Sequence, residues 1–242
     1  MTIPRQTKNP YVCFTYIVSI YSFLFILPSI LLRKMIDVPH IGVIPISILF
    51  TGTYFMLLDV ITEVYGYYEA RKVLMAGLIT YTLFVFSMTF INHVPSPHHY
   101  DVAWSSVQDP DAYLYLFNNL YLVWIAVVFC ALIANTLNMI VLSKWKILVK
   151  GRYFWIRSIS TSFVAALIFS SVSNLFAFGF FLHKNQILYF CQLILISVAA
   201  KLLTMLILAY PSTLLCSFLK RKEGVDIYDY GISYNPFRAK TS

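Results

Sequence analysis

Residues 55–72 read FMLLDVITEVYGYYEARK, from Phe55 to Lys72. This stretch ends a long apolar run that begins at Ile41, and it sets two carboxylates, Asp59 and Glu63, into that run. A spacing of four puts both on one face of a helix. An acid at the centre of a membrane helix costs roughly 2.5–3.5 kcal/mol, so its default reading is functional. Tyr65-Gly66 then interrupts the helical pattern, and Arg71-Lys72 closes it with charge.

The rest of the chain supplies the setting. Its 242 residues are 60% hydrophobic and 12% charged. Soluble domains carry about 25% charged residues, and an apolar excess of this size does not fit one soluble core. The fold class expected is therefore an all-α integral membrane protein. A net charge of +8 would suggest nucleic acid in a soluble protein. In a membrane protein it suits loops that face anionic lipid, so the bilayer and a small molecule are the partners expected, not nucleic acid. Cys13, Cys130, Cys191 and Cys216 are scattered through apolar segments and have no zinc-type spacing. There is no sign of a cofactor.

A membrane helix needs about 20 apolar residues. Six stretches qualify, at about 12–32, 41–62, 73–91, 117–142, 156–182 and 187–218, forming one bundle over residues 1–222 with a tail at 223–242. Of the 18 Lys and Arg, 14 fall on one side of these spans and three on the other, with Lys201 inside the last span. The excess of positive charge marks the cytoplasmic side. Both termini are thus expected in the cytoplasm, in a multi-pass protein of the cell (inner) membrane. The long loop 92–116 then faces outside. It carries His93, His98, His99, Asp101, Asp109 and Asp111, in a spacing that matches no metal-ligand pattern, so no metal site is expected.

The remaining intramembrane polar residues are Asn135 and Asn138 in the fourth span and Lys201 in the sixth, with Arg157 just inside the fifth. Asn135 reads equally as helix glue or as a substrate contact, and Asn138 as glue. The stripe Ser162, Ala166, Ser170 and Asn174 reads as close helix packing. Counting helical rise from the outer ends puts Asp59 and Asn135 about 27 Å down, Glu63 about 33 Å and Lys201 about 21 Å. Asp59 and Lys201 are therefore expected to pair. Glu63 is expected at the cytoplasmic mouth near Arg71 or Arg157, and Tyr54, Phe55 or Tyr65 are candidates to stack against a ligand.

The pattern D-x-x-x-E-x-Y-G-x-x-x-A-R, carried by Asp59, Glu63, Tyr65, Gly66, Ala70 and Arg71, resembles the signature of the queuosine precursor transporter family, earlier described as vitamin uptake transporters. Lys201 and the tail residues Glu223, Asp226, Tyr228, Asp229, Asn235, Pro236 and Phe237 extend the likeness over nearly the whole chain. The resemblance implies import of a 7-deazaguanine for transfer RNA modification: 7-cyano-7-deazaguanine, 7-aminomethyl-7-deazaguanine or queuine. The substrate-binding residues it suggests, taken with the depths above, are Phe55, Asp59, Glu63, Tyr65, Asn135, Arg157 and Lys201. The chain departs from the family in its fifth span, where Ala166 and Phe169 stand in place of a Gln and an Asp.

Two other functions compete. A substrate-binding component of an energy-coupling ATPase complex often has an alanine stripe in an early helix, and the first span here has no alanine. A membrane enzyme is disfavoured by the lack of H-E-x-x-H and G-x-S-x-G motifs. Oligomeric state is left open, with a homodimer as one option. The distribution of basic residues makes a direct prediction about orientation. Reporter fusions after residue 105 should be active outside the cell and fusions after residue 150 inside, and the reverse pattern would overturn the assignment.

Overall fold

The computed structural model describes residues 11–32, 34–38, 42–94, 117, 120–178, 187–232 and 234. Helix α1 is Val12–Ile30, followed by an antiparallel hairpin of β1 (Met35–Val38) and β2 (Gly42–Pro45) and by α2 (Ser47–Asn92). Then come α3 (Leu120–Cys130), a π-helical turn (Ala131–Asn135), α4 (Thr136–Leu148), α5 (Phe154–Phe178) and α6 (Ile187–Glu223). Five of these helical segments are long and apolar enough to cross a membrane, with α3 to α4 counted as one and α2 as one.

α2 is not one rod. Gly66 sits inside it at φ 80, ψ 174, a backbone region open in practice to glycine alone. Tyr21 of α1 shows what the break does. Its ring lies 6.2 Å from that of Tyr54, before Gly66, and a methyl added at Gly77, after Gly66, would come within 2.8 Å of the same ring. On a straight helix Tyr54 and Gly77 would be about 35 Å apart. The chain therefore folds back at Gly66 into two arms, residues 47–65 and 67–92, both packed on the Ile17, Tyr21 and Phe25 face of α1. A step of four puts those three residues in one row, and all three are buried while Tyr16, Ile20 and Phe23 are exposed.

Such a break leaves backbone groups without helical partners on both sides. The C-terminal tail supplies them. The Ile227 N–H donates to the Val64 carbonyl at 3.2 Å. The Asp229 carboxylate accepts from the Tyr67 N–H at 2.9 Å, which caps the second arm. The Glu223 carboxylate accepts from the Cys13 N–H at 2.7 Å and so caps α1. An acid at each helix start also suits the positive end of the helix dipole.

Several boundaries differ from those read off the sequence. The second span does not begin at Ile41. Residues 42–45 pair as a strand, and Ile44, Ile48 and Ala200 make a small apolar cluster that seats the hairpin against α6. The connection before the third span is Gly66 alone, and Arg71-Lys72 lie within the second arm. The fourth span continues to Leu148, so Lys144 and Lys146 are helical, as are Lys220-Arg221-Lys222 at the end of α6. Polar helix ends extend past the apolar run because backbone hydrogen bonding does not stop at the membrane surface. Of the loop 92–116, residues 92–94 are described, and His93 Nδ1 lies 2.7 Å from the Thr89 carbonyl. His98, His99 and the loop acids lie outside the described residues, as do Asn235, Pro236 and Phe237.

The break predicts a specific sensitivity. At Gly66 a Cβ would sit 2.9 Å from the Asp229 carboxylate and 3.0 Å from Ile227. Gly66→Ala should cost about 1–3 kcal/mol from the backbone alone, seen as a lower thermal midpoint and faster tryptic cleavage around Lys220–Lys222. An unchanged digestion pattern would mean that the tail is not held by the break.

Candidate functional site

The first arm of α2 presents Phe55, Asp59 and Glu63 at steps of four, one above the other. Three other helices, α4, α5 and α6, meet this row. Each residue of the row faces a different chemistry.

Glu63 faces cations. It is buried, at 1% exposure. Its carboxylate accepts from Arg157 Nη2 of α5 at 2.9 Å and from Lys220 Nζ of α6 at 2.8 Å, with Lys146 Nζ of α4 at 3.9 Å. Lys146 spends its three N–H donors on the Glu63 carbonyl at 2.5 Å, Asp226 at 2.6 Å and the Ile227 carbonyl at 2.7 Å. Arg157 also donates to the carbonyls of Arg152 and Leu142, which fixes the turn between α4 and α5. Asp226 bridges Lys146 and Lys220. Burial raises its pKa, but the hydrogen bonds from Lys146 and Lys220 outweigh this and hold the carboxyl below its ordinary range. The clasp is therefore complete above about pH 4 and is lost as pH falls through the lowered value.

One turn away from the tail, Asp59 faces only neutral donors. It is fully buried. Asn138 Nδ2 of α4 donates to Oδ1 at 2.6 Å, Ser162 of α5 donates to Oδ2 at 2.8 Å, and Ser158 makes a short hydrogen bond to the same oxygen. Asn135 lies one turn further, at the end of the π-helical turn. It too is fully buried, yet neither atom of its amide has a partner, and Asn138 Oδ1 is likewise unpartnered. Turns of this kind recur at functional sites.

Above Asp59, Phe55 packs edge to face on Phe169 with centroids 5.6 Å apart. The Lys201 ammonium lies 4.6 Å from the Phe169 centroid and donates to Ser170 at 2.8 Å. Lys201 is buried. The ion pairs among the described residues involve Glu63, Glu69 and Asp226, and none includes Lys201.

The expected Asp59–Lys201 pair is thus not formed. A Cβ at Gly52 would sit 3.4 Å from the Lys201 carbonyl and 2.9 Å from Thr204, which sets the level of Lys201 on the first arm. Gly52 is seven residues, about 10 Å, from Asp59. The depth count failed because α6 has 37 residues, about 55 Å of helix against a core of about 30 Å. Counting from its first residue sets Lys201 too deep.

Tyr65 is also elsewhere. Its hydroxyl donates to Glu223 at 2.6 Å and its ring packs on Phe14 and Tyr11, so it anchors α1 and the tail. Of the candidates, Phe55, Asp59, Asn135 and Lys201 share the interior, while Glu63 and Arg157 belong to the ion cluster. Tyr54 is buried between Tyr21, Phe25 and Phe55. Sequence reading missed Ser158, Ser162 and Asn138 as carboxylate partners, and Lys146, Lys220 and the tail acids as one cluster. A signal existed for the serines. Ser158 and Ser162 are four apart, an arrangement equally suited to close packing.

The cluster predicts a structural role for Glu63. Glu63→Gln leaves three cations crowded at a buried point, and removing one partner of a buried pair costs about 3–5 kcal/mol. The variant should express poorly and unfold early in detergent. A stable Glu63→Gln protein that has only lost transport would instead make Glu63 a substrate contact.

Comparison with known proteins agrees with the membrane fold. No curated protein and no solved structure gives a significant match. The model of a family described as "Putative vitamin uptake transporter" matches residues 45–216, from β2 to near the end of α6. That range includes Asp59, Glu63, Asn135, Arg157 and Lys201, and the chain belongs to this family of membrane uptake transporters, now called the queuosine precursor transporter family.

Proposed function

We propose that this chain is a stand-alone importer of a 7-deazaguanine base, carried across the cell (inner) membrane for transfer RNA modification. The observation that carries the reading is Asp59. A carboxylate wholly buried in an apolar bundle, hydrogen-bonded by neutral donors from two other helices and in no ion pair among the described residues, is a group kept available for a polar ligand. Lys201 is its counterpart at the other end of the same interior, a buried ammonium that meets one hydroxyl and one aromatic face. Between them stand Phe55 and Phe169. A flat ring fits between such faces once they part, with its N–H groups toward the carboxylate end and an acceptor toward the ammonium.

In this reading the two arms of α2 cross the membrane separately, which makes six passes with both termini in the cytoplasm. The Glu63 cluster and the tail then close the cytoplasmic end, and the hairpin seated on Ala200 covers the outer end. The substrate enters and leaves as one closure opens after the other. The reading requires no cofactor and no catalytic residue.

The test is uptake of the three 7-deazaguanines by cells that lack their own synthesis, read as queuosine in transfer RNA. Asp59→Asn should keep its expression and lose about tenfold or more of its transport, because a ligand donor then faces an amide that is free to turn its N–H toward it. Wild-type uptake in a well-expressed Asp59→Asn variant would remove Asp59 from the site.

A further inference from the structure

Asn135 and Asn138 together present three buried, unsatisfied polar atoms. Asp59 decides which way Asn138 faces. The Asn138 amide turns its N–H₂ to Asp59 Oδ1 and its carbonyl away. That carbonyl, Asn138 Oδ1, has no partner. Asn135 lies three residues earlier, and its amide offers one acceptor and one N–H₂ donor, both enclosed and both unpartnered. Had Asn135 served to join helices, a neighbouring helix would meet at least one of these atoms. The π-helical turn Ala131–Asn135 sits at this point.

We infer that Asn135 and Asn138 are the specificity-determining residues of the site and that they read a cyclic amide edge bearing an adjacent amine. The unpartnered groups are one donor, the Asn135 N–H₂, and two acceptors, the carbonyls of Asn135 and Asn138. Their complement is one acceptor and two donors, which are the carbonyl, ring N–H and exocyclic amine of a guanine-type ring. An adenine-type edge offers an amine and a bare ring nitrogen, so it leaves one of the two acceptors unmet. Asp59 orients Asn138 through Oδ1, while its Oδ2, which takes Ser158 and Ser162 from α5, is the oxygen that a further N–H of the ligand can reach. Phe55 and Phe169 lie on the Lys201 side of these groups and bound the ring. The inference rests on the nucleobase reading above and adds to it which residues recognise which edge of the base.

The experiment measures dissociation constants on the purified full chain in lipid nanodiscs by calorimetry. The probes are 7-deazaguanine, its 7-cyano and 7-aminomethyl derivatives, 7-deazahypoxanthine (which lacks the exocyclic amine), 7-deazaadenine, guanine and uracil. Wild type should bind 7-deazaguanine tighter than 7-deazahypoxanthine and bind 7-deazaadenine weakest. Asn135→Leu should weaken 7-deazaguanine by about 100-fold, since a site built around polar contacts depends strongly on them. Asn138→Thr keeps a hydroxyl donor for Asp59 and withdraws the carbonyl. It should weaken 7-deazaguanine by about tenfold and leave 7-deazahypoxanthine unchanged, so that the two bind alike. A folded Asn135→Leu protein that binds 7-deazaguanine at wild-type strength would overturn the inference, as would Asn138→Thr with the amine preference intact. If wild type binds guanine or uracil but no 7-deazaguanine, and does so through Asn135, the substrate proposed above is wrong and the edge reading stands. If it binds none of the probes, both fall.

Discussion

A single buried carboxylate ties the tail end of this bundle together. Glu63 takes an arginine from α5 and a lysine from α6, with a lysine from α4 close by, and it ends the row of Phe55 and Asp59 on the first arm. None of those cations could be buried there alone, because an unpaired charge in a low-dielectric interior is too costly to keep. The tail follows from this. Three cations around one acid leave positive charge over, and Asp226 supplies a second acid across Lys146 and Lys220. With Asp226 fixed, Glu223 and Asp229, three residues to either side, reach the starts of α1 and of the second arm.

The fold-back at Gly66 depends on the same clasp. A chain reversal within an apolar helical bundle exposes backbone donors and acceptors that apolar surroundings cannot satisfy. Here Ile227 and Asp229 meet them. Asp229 also accepts from Ser143 at 2.5 Å, which carries the constraint back to α4. Glycine, tail and ion cluster therefore form one unit.

The interior beyond it is built on the opposite rule. Asp59 and Lys201 are both buried, and each is met only by neutral groups. Charge held by neutral hydrogen bonds is less well compensated than charge in an ion pair, and the nearby Asn135 amide is not compensated at all. Stability and availability are thus divided along one helix face. Glu63 is saturated by cations, and four residues earlier Asp59 is held by Asn138, Ser158 and Ser162.

The sequence by itself determined the membrane class, the positions of the apolar helices to within about six residues, and the two acids on one helix face. Those follow from composition and period, which are local properties of the chain. It also flagged Gly66 as a break and offered Arg71 or Arg157 as the neighbour of Glu63, of which the structure pairs Arg157. Only the tertiary structure decided that Asp59 meets Asn138, Ser158 and Ser162 instead of Lys201. That choice depends on the sliding register between helices, fixed by the contact of Gly52 with Thr204 and Lys201. Hydropathy carries no information about register, because any turn of an apolar helix is as apolar as the next. The same holds for the tail, whose acids read as a polar end to the chain until the helix starts that they cap are brought to one place.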